Sequence, residues 1–193
     1  MEQLFERIKM KEENNNIQVR SSLWSNIFKA ESDEQKILDL LRKFPAFTDL
    51  KKRELKMIRK LVHVREYLPN EIIFYEGDPG VSMFIIESGK VEISHTFKSG
   101  IKQELALLFA GDFMGEFSAI VEGFRTATAT ALTSTRLLII FRPDLLELIN
   151  REPSLGVKIL LGFSKIFVEK LRNLNRDYLN LYELLHIEKQ IEK

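Results

Sequence analysis

The sequence predicts a mainly β protein: an antiparallel, eight-stranded β-roll of jelly-roll type, with N-terminal helices before it and a long C-terminal helix after it. Three observations carry this. From His63 to Phe141 the chain is a series of short β-rich apolar runs separated by turn residues. No helix-length pattern interrupts that stretch, so there are no crossovers to make the strands parallel. On either side of it the apolar residues recur at helical spacing instead.

At 193 residues, 45% of them hydrophobic, the chain has enough material for one well-filled core plus appendages. Its net charge of +1 is not the basic footprint of a polyanion binder. The absence of cysteine excludes disulfides, thiolate metal sites and cysteine-ligated clusters. No apolar run approaches the roughly 18 residues of a membrane span, and the charged start is not a signal peptide. A cytoplasmic protein without a membrane span is expected.

Taken in order, residues 1–30 are polar, with an Asn14-Asn15-Asn16 tract. They form a leader with two apolar turns, one around Leu4, Phe5 and Ile8 and one around Leu23, Trp24, Ile27 and Phe28. The leader reading is favoured, with a docking segment for a partner or sister subunit as the alternative. Residues 31–153 form the roll with its flanking helices, and 154–193 the last helix. Ser32 with Gln35 fits a capping box for a helix to about Lys43. Phe44-Pro45-Ala46-Phe47 stops that helix, and Thr48 or Asp49 caps a second one to Leu61. The second helix sets Lys51, Lys52, Arg53, Lys56, Arg59 and Lys60 around Leu55 and Ile58. No aromatic residue interleaves with those charges, so a solvated face is favoured over a nucleic-acid patch.

Strands are expected over Ile72–Tyr75, Met83–Ile86, Val91–Phe97, Gln103–Phe109, Thr126–Thr133 and Arg136–Phe141. Asp78-Pro79-Gly80, Ser88-Gly89, Ser99-Gly100 and Gly111-Asp112 mark turns between them. Pro143 suits the first turn of a helix to Asn150, and Pro153 the start of the last helix. On that helix Phe167, Leu171, Leu174, Tyr178, Leu181 and Leu185 recur at spacings of 4, 3, 4, 3 and 4. The seam predicts a homodimer, with packing back onto the roll as the alternative.

β-rolls of this shape also occur as cupin metalloenzymes, which need clustered His and carboxylate ligands. His63, His95 and His186 are dispersed, so no metal site is expected. Ser88 and Ser118 lack a His–Asp pattern, and Gly77 and Gly80 do not make a phosphate loop. No enzyme is expected and no cofactor.

What remains is Gly111 to Ala129, GDFMGEFSAIVEGFRTATA. Gly115 admits close backbone approach, and residues 116–121 suit a short helix whose first N–H groups face an anion. Arg125 offers a planar cationic fork for a phosphate, and Glu116 an acceptor pair for hydroxyl groups. Gly-Glu, eight residues, then Arg-Thr-Ala resembles the phosphate-binding cassette of cyclic nucleotide-binding domains. Those domains include protein kinase A regulatory subunits, cyclic nucleotide-gated channels and catabolite activator-type regulators. The stretches Glu71–Gly80 (EIIFYEGDPG) and Met83–Ile93 (MFIIESGKVEI) extend the resemblance over roughly residues 36–170.

The resemblance implies that Glu116 binds a ribose hydroxyl and Arg125 a cyclic phosphate. Gly115, Phe117, Ser118 and Thr126 complete the candidate site. Met114, Phe117-Ser118-Ala119 and Phe124 depart from the usual pattern without removing a charged contact. Thr126 permits cGMP, yet several cAMP binders carry Thr or Ser there, so cAMP is slightly favoured. Phe163, Phe167, Leu171 and Asn175 are candidates to cover the base. The expected function is a cyclic-nucleotide sensor: the ligand neutralises Arg125, orders residues 115–121 and shifts the last helix. Output would pass to a protein effector or an altered dimer. Activator-type relatives continue into a DNA-binding domain; this chain ends at Lys193 within its helix, so no direct DNA binding is expected. The alternative is a degenerate roll serving only for interaction or dimerisation.

Overall fold

The computed structural model describes residues 33–191 of the chain. The leader of residues 1–30 and the capping Ser32 therefore lie outside the described residues. The chain divides between Asp39 and Leu40 into two compact units. The first is described over residues 33–39 alone, where Gln35 Nε2 donates to Asp39 Oδ1 at 2.9 Å. These residues open helix α1, which spans 33–43 as expected.

In the second unit a 3-10 turn, Pro45–Phe47, precedes helix α2, Lys52–Arg59. This helix starts later than Thr48 or Asp49 would set it, because both residues have other partners. Thr48 Oγ1 donates to the Pro45 carbonyl at 3.2 Å, and Asp49 pairs with Lys165 at 2.6 Å. The Lys51 N–H is instead held by the Glu54 carboxylate at 2.7 Å. Helix α2 buries Leu55 and Ile58 and exposes Lys52, Arg53 and Lys56.

Eight strands follow: β1 Val62–Tyr67, β2 Ile72–Phe74, β3 Ser82–Ser88, β4 Lys90–Thr96, β5 Lys102–Phe109, β6 Phe113–Met114, β7 Thr128–Ala131 and β8 Thr135–Phe141. They form two four-stranded antiparallel sheets, β1-β8-β3-β6 and β2-β7-β4-β5. This is the roll expected from the turn spacing. Phe84, Ile86, Leu137 and Ile139 of one sheet face Val91, Ala129 and Ala131 of the other, and together they close the core. Two strands carry no expectation of their own. Strand β1 buries only its end residues Val62 and Tyr67, so it shows no alternation. Strand β6 has two residues, fixed by the pairings Phe84↔Met114 and Ile85↔Phe113. Strand β7 is shorter than Thr126–Thr133, because residues 125–127 turn away to line the site described below.

Helices α3, Arg142–Arg151, and α4, Pro153–Ile191, close the chain. Leu155, Ile159, Phe163 and Ile166 form the buried face of α4. At Gly162 the helix lies so close to the 3-10 turn that a Cβ would meet the Ala46 carbonyl oxygen at 2.3 Å. Phe163 packs edge-on against Phe44 and Phe47, with centroids 5.9 and 6.4 Å away. The distal part of α4 differs. Leu171, Leu174, Tyr178 and Leu181 are exposed, and so are Leu179, Tyr182 and Leu184 beside them. The apolar band is thus wider than the expected seam, whose last member, Leu185, has a side chain outside the described residues.

Candidate functional site

Strand β6 delivers the chain to Gly115, whose φ of +70° is in the left-handed region that glycine tolerates. Contact makes glycine necessary as well: a Cβ there would stand 2.4 Å from Arg125 Nη1. The expected helix over 116–121 is only a single 3-10 turn, Phe117–Ala119. The Ser118 and Ala119 N–H groups donate to the Gly115 and Glu116 carbonyls, at 3.1 and 3.2 Å. The chain returns through Gly123 and Phe124 to Arg125. There the Arg125 N–H donates to the Asp78 carbonyl, and the Gly77 N–H donates to the Arg125 carbonyl, both at 2.8 Å. The turn at 77–80 is therefore the clasp that sets the arginine's position.

Arg125 is 7% exposed. Its guanidinium carbon lies 4.2 Å from the Phe74 ring centroid, and its Nη1 and Nη2 donate to Ser118 Oγ and Ser82 Oγ, each at 3.3 Å. Among the described residues its Nε has no hydrogen-bond partner and no carboxylate forms an ion pair with it. Burial holds its pKa below the usual arginine value, while Asp78 and Glu116 oppose that shift from a distance. A buried cation served only by hydroxyls and ring faces is under-compensated, and an anion in the adjoining space would complete it.

That space is a cavity of about 240 Å³, somewhat smaller than the usual small-molecule cleft. All six candidate residues, Gly115, Glu116, Phe117, Ser118, Arg125 and Thr126, line it. Phe74, Ile93, Ala106, Leu108 and Phe113 add an apolar wall, and Lys170 arrives from α4. Glu116 is 2% exposed, and Lys170 Nζ donates to its Oε1 at 2.6 Å.

Of the four residues considered as a cover, Phe163 is committed to the core beneath α4, and Leu171 is exposed. Asn175 is exposed as well. Phe167 stacks on Phe117 with centroids 5.2 Å apart. None of the four lines the cavity, and the residue of α4 that does is Lys170. Neither Phe117 nor Phe124 plugs the cavity; both are exposed at its rim. A second residue missed from the sequence is Arg142. Its Nη1 donates to the carbonyls of Gly80, at 2.7 Å, and of Val121 and Ser118, at 3.2 and 3.4 Å. It ties the 117–123 loop to the turn at 77–80.

Among the described residues no group of His and carboxylates is placed to hold a metal ion, and no helix is long and apolar enough to cross a membrane.

The sequence model of the cyclic nucleotide-binding domain matches residues 64–152. A curated relative, the cyclic AMP receptor protein of Thermus thermophilus, is 39% identical over 109 residues, which is 56% of this chain and 50% of the relative. The chain therefore spans half of that relative's length. The crystal structure of the Thermus thermophilus catabolite activator protein is similar at a TM-score of 0.64 and 34% identity, over 71% of this chain and 62% of that one. A cyclic nucleotide-binding domain from Methylobacillus flagellatus is similar at a TM-score of 0.65 and 25% identity, over 75% and 81% of the two chains.

Proposed function

Residues 64–152 belong to the cyclic nucleotide-binding domain family, and from that premise we propose that the chain is a cytoplasmic cyclic-nucleotide sensor acting through the position of α4. The observation that carries the proposal is Arg125, a buried guanidinium that has no carboxylate partner among the described residues and stands beside a cavity. In a degenerate roll the same arginine would be expected to pair with an internal acid or to be shut off by Phe117 or Phe124. Here the pocket has neither feature.

In this reading the cyclic phosphate meets Arg125, Ser118 and the backbone at Gly115, while Glu116 receives a ribose hydroxyl. Thr126 stands at the mouth, where it reaches phosphate or base. The base lies along Ile93, Leu108 and Phe113 and under α4. The ligand is cAMP in preference to cGMP; the support is that the Thermus relative is named a cyclic AMP receptor. Residues 31–153 bind the ligand, and residues 154–193 carry the response to a second copy of the chain or to a protein effector. The role is regulatory, not catalytic.

The test is thermal unfolding with and without cAMP and cGMP, for the wild type and Arg125→Ala. A ligand at about a hundred times its Kd adds roughly 2.7 kcal/mol, equivalent to roughly 5–10 °C for a domain of this size. We expect that rise with cAMP, a smaller one with cGMP, and neither in Arg125→Ala measured against its own ligand-free baseline. No rise with either nucleotide at millimolar concentration would leave the roll as an interaction module.

A further inference from the structure

Strand β2 is three residues long, and its pairing with β7 slips within them. Ile72 stands opposite Thr130 and Phe74 opposite Ala129, so β2 takes two steps where β7 takes one. An unbroken ladder would set Phe74 opposite Thr128, on the face of the sheet that carries Thr130. The slip sets it instead on the face of Ala129, which is fully buried in the core between the sheets. A bulge of this kind re-aims a side chain, and here it turns a phenyl ring inward.

Inside the roll that ring has three neighbours. Phe84 of the facing sheet stacks against it, with centroids 5.7 Å apart and planes inclined by 30°. The Arg125 guanidinium carbon lies over it, 4.2 Å from its centroid and 5.4 Å from that of Phe84. The ring also forms part of the cavity wall. A ring over the face of a guanidinium leaves the N–H edge to meet an anion in the plane. That edge is on the cavity side, because Nη1 donates to Ser118 and lies beside Gly115, and both residues line the cavity.

We infer that Phe74 is a positioning residue for anion binding: its π face holds the Arg125 cation in place, with the N–H edge toward the cavity. The inference rests on the reading that the cavity takes a cyclic nucleotide. Asp78 and Glu116 both attract this cation from a distance. Without the ring, the long side chain is free to swing toward either carboxylate, and a ligand phosphate must then break that ion pair to be bound. With the ring, the guanidinium is already placed, and the phosphate gains its charge-assisted hydrogen bonds without that cost.

The contact over a desolvated cation corresponds to a factor on the order of thirty in an equilibrium, so Phe74→Leu should weaken cAMP binding about tenfold. Loss of packing alone could lower affinity too, so a second series keeps the shape of the ring. Phe74 is replaced by mono-, di- and trifluorophenylalanine, in which each fluorine draws electron density from the ring face and leaves the side chain apolar. Titration calorimetry of the full chain should show cAMP affinity falling stepwise along the series, about twofold for each fluorine. A constant or rising affinity would make Phe74 merely an apolar wall of the cavity and overturn the inference. If wild type binds neither cAMP nor cGMP, it is the functional reading that fails, and the stacking is then read from denaturant midpoints without ligand. Midpoints that fall along the fluorine series with Arg125 present but not in Arg125→Met support it; the same course in both backgrounds rules it out.

Discussion

At the scale of single residues, the site depends on two whose side chains never need to touch a ligand. Gly115 is constrained twice, by its φ of +70° and by Arg125 Nη1 lying 2.4 Å from where a Cβ would stand. Left-handed backbone costs a non-glycine residue roughly 1–2 kcal/mol, and the displaced guanidinium adds to that. Gly115→Ala should therefore lower the unfolding temperature by several degrees and abolish the stabilisation by cAMP, both read in one thermal melt. Arg142 binds three carbonyls across the base of the 117–123 loop. Arg142→Gln should cost about 1–3 kcal/mol in chemical denaturation, and it should weaken cAMP binding although Arg142 lies outside the cavity. Gly115, Glu116 and Arg125 were legible in the sequence because their spacing along one segment is itself the pattern. Lys170 and Arg142 were not. Their partners lie 54 and up to 62 residues away, and nothing local marks a lysine on an exposed helix face as the one that turns inward.

At the scale of elements, α4 is held by more than its apolar face. Glu54 of α2 pairs with Lys158, and Asp49 with Lys165, each at 2.6 Å. Their hydrogen bonds to these lysines hold both carboxyls below their usual pKa values. A carboxyl whose folded pKa is depressed contributes stability that is fully present above its unfolded value, near 4 to 4.5, and is lost as the pH falls through the folded value. Wild type should therefore exceed the double variant Asp49→Asn/Glu54→Gln in stability at pH 7, with the difference shrinking steadily below about pH 4.5. Denaturant titrations of both proteins from pH 7 to pH 3 would show it; a difference that is constant with pH would remove these pairs from the account of α4. Neither tether was visible in the sequence, where Thr48 and Asp49 looked like helix caps and β1 had no alternation to announce it. The strands read most readily were those with a glycine turn near each end, such as β3 and β4.

At the scale of the whole molecule, the distal half of α4 is the part that exposes an apolar band. A helix of 39 residues is about 58 Å long, and among its described side chains the buried face ends at Ile166. Beyond it, Leu171, Leu174, Tyr178 and Leu181 stand exposed along one side, with Leu179, Tyr182 and Leu184 widening the band. An isolated stretch of that length is marginal in water, because most helical stability in proteins comes from packing an apolar face. The 4-3-4-3 spacing is that of a two-helix seam, so a second copy of the same helix is the occupant the pattern fits best. On that argument a homodimer through α4 is the expected assembly. Leu174→Glu puts like charges face to face at the middle of the seam while leaving the roll and its cavity untouched. Sedimentation equilibrium should give a dimer for wild type and a monomer for Leu174→Glu at the same concentration, with cAMP binding retained in the variant. A monomeric wild type at tens of micromolar would remove the homodimer and leave the exposed band for a protein effector instead.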